Sequence, residues 1–276
     1  MRVKFALAGL FFTSLLFSQT MNVMSYNLRL SLDSDKENSW NYRKDDAMNL
    51  ILNYSPDVLG VQEPVPAQMS DLRAKLIGYG DLGVARDDGK DVGEYSALFY
   101  KKELLEVKDS GTFWLSETPE KPSKGWDAAY NRICTYALFK TKKEGKYFWA
   151  FNIHFDHVGD VARKNSALLL LERIKKLNTK NYPVILTGDF NLTDDSEPIK
   201  ILSAELKDSY YHSQKTPYGP KGTFQAFKTD EVVKERIDYI FTKGFSVKSL
   251  TTIDDRRENL LYPSDHFPVL AELKFN

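Results

Sequence analysis

The chain has 276 residues, 42% of them hydrophobic, with 38 basic and 38 acidic side chains and a single cysteine. That length can bury a sizeable core, and the balanced charge gives no global electrostatic footprint for nucleic acid, though it does not exclude a local basic groove. Cys134 alone forms no internal disulfide, and one cysteine with four histidines argues against a closed structural zinc site.

In chain order, residues 1–18 read as a signal peptide: Arg2 and Lys4 precede an apolar run from Phe5 to Phe17 that is too short to span a bilayer. Ser18-Gln19 offers a cleavage point. The protein is therefore expected to be secreted or periplasmic, with no transmembrane segment after cleavage. MNVMSYN (21–27) predicts a strand, and Ala47, Leu50, Ile51 and Tyr54 predict a helix over 43–54. A strand at 57–62 is followed by a helix at 66–77, with Met69, Leu72 and Leu76 on one face. Strands are predicted at 96–101, 135–140 and 147–154, then a helix at 161–177 striped by Ala167, Leu170, Leu171, Ile174 and Leu177. PVILTGD (183–189) reads as a buried strand, and Ser196 or Asp195 can cap a helix near 197–204, with Pro198 in its first turn. Strands at 236–241 and 268–275 complete the chain. No linker, repeat or low-complexity tract divides 19–276, which reads as one domain of mixed sheets covered by helices. Nothing in the sequence implies a stable protein partner, and a monomer is expected.

Six apolar runs end on, or just after, a polar residue able to bind metal or phosphate. These are Asn27, Glu63, His154 (followed by Asp156 and His157), Asp189 with Asn191, Asp238, and the Asp265-His266 pair before the last strand. Sheet scaffolds place functional groups where strands give way to loops, so six such endings point to one shared site. Asp189 and Asn191 are two apart and face the same side of an extended backbone; Asn152, His154 and Asp156 share a parity in the same way. Glu63, Asp189 and Asp265 are hard oxygen ligands suited to Mg²⁺ or Mn²⁺, with Ca²⁺ also compatible. Carboxylates, amides and two histidines together supply what phosphoester hydrolysis needs. An EF-hand reading of the run from Asp189 fails, because Asp194 stands where glycine is required and Lys200 where glutamate is required.

The blocks SYN (25–27), VQE (61–63), NIHFDH (152–157), GDFN (188–191), RIDYI (236–240) and SDHFPV (264–269) resemble the signature set of the endonuclease/exonuclease/phosphatase superfamily, in the same order. The resemblance implies an α+β fold, a four-layer αββα sandwich of two packed mixed β-sheets flanked by helices. It also implies direct in-line attack of water on phosphorus. By the same resemblance Glu63 is the principal metal ligand, with Asn27 nearby and Asp265 binding metal or orienting the site. His266 contacts the scissile phosphate or acts as base, and Asp238 holds its imidazole. Asp189 orients the attacking water, Asn191 binds phosphate, and His154 stabilises the transition state or assists the leaving group.

Other readings stay open at several positions. Asn27 and Asn191 can satisfy turn backbone, Asp238 can pair with Arg236, and His266 can be a packed loop residue. Asp156 and His157 either tune His154 or only shape their loop. Arg132 and Arg163 are either exposed charges or phosphate-binding arginines. Arg86, Asp87, Asp88 and Glu94 flank a loop that could line the mouth. Trp114, with Phe113 and Trp126, is either a core plug or a stacking surface for a base or sugar. The expected substrate is a phosphoester, either nucleic acid, sugar phosphate or lipid head group, and a nuclease-like phosphodiesterase is the leading expectation. The competing class, a silent binding module on the same fold, would require loss of Glu63, Asp189, Asp265 or His266, and all four are present.

Overall fold

A computed structural model describes residues 20–276; the leader read at 1–18 lies outside the described residues. Two six-stranded sheets form. The first holds β1 (Thr20–Asn27), β2 (Val58–Gln62), β3 (Tyr79–Leu82), β4 (Ser96–Lys101), β11 (Phe245–Thr252) and β12 (Val269–Phe275), ordered β11-β12-β1-β2-β4-β3. The second holds β5 (Leu105–Trp114), β6 (Ile133–Thr141), β7 (Tyr147–His154), β8 (Val184–Asp189), β9 (Lys207–Asp208) and β10 (Asp238–Lys243), ordered β5-β6-β7-β8-β10-β9. Both sheets are mixed, because β1–β2 and β7–β8 run parallel among antiparallel neighbours.

Alternation along the strands assigns each side chain to one of three apolar layers. Met24, Tyr26, Leu59 and Val61 point outward to helices α1 (Trp40–Tyr54) and α2 (Pro66–Lys75), meeting Ala47, Ile51, Met69 and Leu72. Phe151, Ile153, Leu186 and Phe241 point outward to α3 (Asp160–Leu177) and α4 (Glu197–Glu205), meeting Ala167, Leu170, Ile199 and Leu202. Val23, Val58, Leu98, Ala150, Ile185 and Ile240 fill the space between the sheets. Three apolar layers separate four structural ones, so the chain is the αββα sandwich expected. A last helical turn, α5 (Ser209–His212), follows β9. Among the described residues no helix is long and apolar enough to cross a membrane.

The layer between the sheets changes character along the strands, and this positions the site. One residue pair beyond Val23, Val58, Ala150 and Ile185, the same faces present Ser25, Gly60, Asn152 and Thr187, followed by Asn27, Gln62, His154 and Asp189. Asn152 spans the two sheets: its Nδ2 donates to the Val61 and Ala97 carbonyls, both at 2.9 Å. Its Oδ1 accepts from Gln62 Nε2 at 2.6 Å and Thr187 Oγ1 at 3.0 Å. Buried polar groups are tolerated only when answered in this way.

The strands that escaped the sequence reading lie at sheet edges. β3, β11, β5 and β9 are the four outermost strands. Bulges at Val247/Ser249 and Val107/Asp109 break the two-residue period of β11 and β5, and Asp109, Ser110 and Gly111 carry no apolar signal. Edge strands are shaped to avoid further pairing, which erases the pattern that betrays them. Ser196 occupies the N-cap of α4, but its hydroxyl donates to the Thr193 carbonyl at 2.8 Å and caps no helical N–H.

Gly60 is the point where the polar layer requires a missing side chain. A Cβ there would lie 2.2 Å from Thr187 Oγ1 and 2.5 Å from Asn152 Oδ1. Gly60→Ala is expected to lower unfolding free energy in denaturant titration by about 1–3 kcal/mol, the usual range for overpacking. An unchanged midpoint and slope would show that the polar layer is looser than described.

Candidate active site

Strand register sets out the reactive groups in a row. His154 of β7 pairs across to Asp189 of β8, and Asp189 pairs across to Asp238 of β10. Neighbouring strands lie about 4.8 Å apart, so three polar side chains on one face at one level must meet. Asn27 ends β1 in the opposing sheet and faces this row.

Asp189 stands at the centre of these contacts. Its Oδ2 accepts from Asn27 Nδ2 at 2.9 Å, and its Oδ1 accepts from the Asn191 backbone N–H at 2.9 Å. Oδ2 lies 3.5 Å from His154 Nε2 and 3.8 Å from His266 Nε2. The other nitrogen of His266, Nδ1, is bonded to Asp238 Oδ2 at 2.9 Å, which fixes the ring orientation. Asp238 therefore partners His266, and Arg236 instead pairs with Asp208 (2.7 Å) and Asp194 (3.3 Å). Asn191, with its backbone in the left-handed region, donates its amide to the Phe155 carbonyl at 3.0 Å.

Glu63 follows β2 with φ of 72°, an uncommon conformation for a side-chain-bearing residue and one that persists where surrounding structure enforces it. Its Oε1 accepts from Asn27 Nδ2 at 3.0 Å and its Oε2 from the Leu30 backbone N–H at 2.9 Å. Asp265 stands outside the tightest groups, 3.8 Å from Arg29 Nε. Its backbone carbonyl accepts from the N–H groups of Gln225 and Ala226. Among the described residues, two triads have ligand atoms within 4.8 Å of one another: Glu63 with His154 and Asp189, and Asp189 with Asp238 and His266. Hard oxygens joined by imidazole suit a divalent cation, so the donor set fits one at Glu63.

The loop side of the site corrects several sequence readings. Asp156 is not free to meet substrate: it is buried, and its carboxylate accepts from the N–H groups of Ala129, Val158 and Gly159 and from Arg132 Nε. It shapes its loop. Arg163 is engaged locally, with its Nη atoms held by Asp160 and the His157 carbonyl. Trp114 is a core plug, 5% exposed, and its indole N–H donates to the Arg86 carbonyl at 2.7 Å. Arg132 does reach the site: it lines a small space with Arg86, Glu94 and His154, and its Nη1 is buried without a hydrogen-bond partner. Glu94 was flagged in the sequence only as a residue that could line the mouth. Its Oε2 lies 2.5 Å from Arg86 Nη1 and 3.9 Å from His154 Nδ1.

These neighbours push the titratable groups apart. Burial raises the Asp189 carboxyl to about 7, against the attraction of His266. Burial likewise raises Glu94 to about 7, with Arg86 opposing, and raises Asp265. Burial disfavours a charged His266, but the Asp238 and Asp189 carboxylates outweigh it and hold that imidazole well above its ordinary range. His154 goes the other way, driven down by burial and by the charges of Arg132 and Arg86. The site thus pairs a cationic histidine with a neutral one across a carboxylate poised near neutrality, an arrangement suited to proton transfer.

Known proteins resemble this one along most of its length. The mannosyl-6-phosphatase of Bacteroides thetaiotaomicron superposes with a TM-score of 0.89 at 41% identity, covering 92% of this chain and 100% of that one. An uncharacterised protein of Acanthamoeba polyphaga mimivirus is 31% identical over 73% of this chain and 72% of its own. Nocturnin of Rattus norvegicus is 24% identical over 93% of this chain and 66% of its own. The model of the endonuclease/exonuclease/phosphatase family matches residues 24–266. The chain belongs to that family, whose members are hydrolases acting on phosphoester bonds.

Proposed function

We propose that this protein is an exported, divalent-metal-dependent phosphoesterase that removes phosphate from a phosphorylated sugar. The observation that carries phosphoester hydrolysis is the Asp189 carboxylate set between His154 at 3.5 Å and His266 at 3.8 Å, beside Glu63. The sugar is supported by the 41% identity to a mannosyl-6-phosphatase along nearly the whole chain. A recessed centre supports it too, because Asn27, Asp189 and Asp238 are at most 1% exposed and a small terminal phosphate reaches further in than a rigid duplex. The basic, apolar N-terminal stretch from Arg2 to Phe17 supports export.

Glu63 and Asp265, with Asn27 alongside and His154 and Asp189 adjacent, would hold Mg²⁺ or Mn²⁺. Such an ion, when bound, supplies positive charge to the phosphoryl oxygens. The protein's own groups do the rest. Asp189, fixed by Asn27 and the Asn191 N–H, accepts a proton from the attacking water. His266, kept charged by Asp238, donates from Nε2 to a phosphoryl oxygen. Neutral His154, on the far side of Asp189, donates a hydrogen bond to the leaving oxygen, which takes up a proton from solvent as its bond to phosphorus breaks. Burial together with the charge of Arg132 keeps His154 neutral.

A nuclease-like phosphodiesterase would use the same groups and remains the second reading, favoured by the 22% identity, over 86% of this chain and 34% of the relative, to the 3'-5'-exoribonuclease subunit Ccr4 of the Candida glabrata CCR4-Not complex. A panel of hexose 6-phosphates, a bis-aryl phosphodiester, single-stranded DNA and RNA, each with and without EDTA, separates the two. Sugar monophosphate should be turned over best and should need the metal. Preference for DNA or RNA would transfer the assignment to the second reading, and metal-independent turnover would overturn both.

His266→Ala and Glu63→Ala are each expected to lower kcat/KM by about 10²–10⁴-fold, the range for a positioned proton-transfer or charge-stabilising group. Wild-type rates in both would contradict the site. The pH profile offers a further check. A histidine raised by Asp238 stays charged below its folded-state pKa and loses its proton as pH rises through it. Asp238→Asn removes the raising charge, so the alkaline fall in kcat/KM should move to lower pH. An alkaline limb at its original place would show that the charge on His266 is not required.

A further inference from the structure

Arg43 is fully buried, and among the described residues no carboxylate pairs with it. A guanidinium taken out of water without a counter-ion is costly, so its presence has to be explained by what it holds. It lies in the first turn of α1 and spends its donors on backbone carbonyls. Nε donates to Asn38 O at 2.7 Å, Nη1 to Leu28 O at 2.6 Å and Pro263 O at 3.1 Å, and Nη2 to Arg29 O at 2.7 Å. Trp40 and Phe227 cover it with ring centroids at 5.0 and 5.7 Å. Leu28 and Arg29 directly follow Asn27, and Pro263 stands two residues before Asp265.

The same segment is gripped from its other side. Gln68, also fully buried, donates Nε2 to Arg29 O at 2.9 Å and accepts at Oε1 from the N–H groups of Ser31 (2.9 Å) and Val65 (3.2 Å). Val65 lies two residues past Glu63, and the Leu30 N–H between these grips is the one that holds Glu63 Oε2. Residues 28–31 are therefore a hub tied to the loops of both Glu63 and Asp265.

We propose that Arg43 is a positioning residue for cation binding: it fixes the spacing of the Glu63 and Asp265 loops by bridging the carbonyls of Leu28, Arg29 and Pro263, with Gln68 as its counterpart. The proposal rests on the reading of Glu63 and Asp265 as cation ligands. Arginine is required because a planar fork of N–H groups reaches several carbonyls at once, whereas lysine keeps the charge and loses the fork.

Calorimetric titration of the metal-free full chain with Mn²⁺ tests this, alongside thermal unfolding in EDTA. Arg43→Lys should weaken Mn²⁺ binding by about tenfold or more, the scale of losses when groups supporting a metal ligand are removed. Gln68→Met should weaken it by less. Arg257→Lys is the control: Arg257 is buried and binds the Glu37 and Tyr42 carbonyls and Asp46, none of them in the hub. It should lower Tm and leave Mn²⁺ affinity at the wild-type value. Wild-type affinity in folded Arg43→Lys overturns the proposal, as does an equal loss in Arg257→Lys. If Arg43→Lys does not fold, Gln68→Met decides by the same criterion. Glu63→Gln examines the underlying reading separately: full affinity there, or no binding by the wild type, removes the ligand assignment and the proposal with it.

Discussion

A carboxylate buried between two sheets has to be answered by hydrogen bonds, and Asp189 is answered from both. Asn27 reaches it from β1 in one sheet, and the Asn191 N–H holds it from the loop after β8 in the other. The sheets can meet over such a group because the layer beneath is already polar and cross-linked by hydrogen bonds, with Gln62 Oε1 in it left without a partner. Asn152, Gln62 and Thr187 fill that layer, and Gly60 makes room for it. The apolar part of the inter-sheet core then begins one residue pair further along each strand. Site and core are two ends of the same packed layer, so the chemistry is held as rigidly as the fold.

The electrical asymmetry of the two histidines follows from their positions in this arrangement. His266 touches Asp238 and faces Asp189, whereas His154 faces Asp189 with Arg132 and Arg86 behind it. Burial pushes both imidazoles toward the neutral form; the Asp238 and Asp189 carboxylates reverse this for His266, whereas the Arg132 and Arg86 charges add to it for His154. In the proposed reaction that division would let one group donate to a phosphoryl oxygen while the carboxylate between them accepts a proton. Neither task needs a covalent intermediate, which fits a family of phosphoester hydrolases.

Much of this was legible in the sequence because central strands announce themselves twice. Their apolar alternation gives the strand, and the polar residue at the end gives the site: PVILTGD leads to Asp189, and YFWAFNIH leads to His154. Edge strands gave no such signal. Phe245–Thr252 and Leu105–Trp114 are interrupted by bulges and carry polar residues on open faces. Residues that act through tertiary contact were also hidden. Arg43 and Gln68 sit in amphipathic helices where a charged or polar side chain reads as solvent-facing, and only the folded chain turns them inward. Asp156 and Arg163 misled for the opposite reason. Their neighbourhood in sequence to His154 suggested substrate contact, but backbone N–H groups take up the Asp156 carboxylate, and Asp160 and the His157 carbonyl engage the two Nη atoms of Arg163.

The central claim is that Asp189 separates a charged imidazole from a neutral one. Nitrogen-15 spectra of the histidine rings in metal-free protein test it directly. At pH 7 His266 should show two protonated ring nitrogens and His154 the pattern of a neutral ring with one. In Asp238→Asn the His266 signals should move toward the neutral form at that pH, while those of His154 hold. A neutral His266 in the wild type, or a charged His154, would contradict the account.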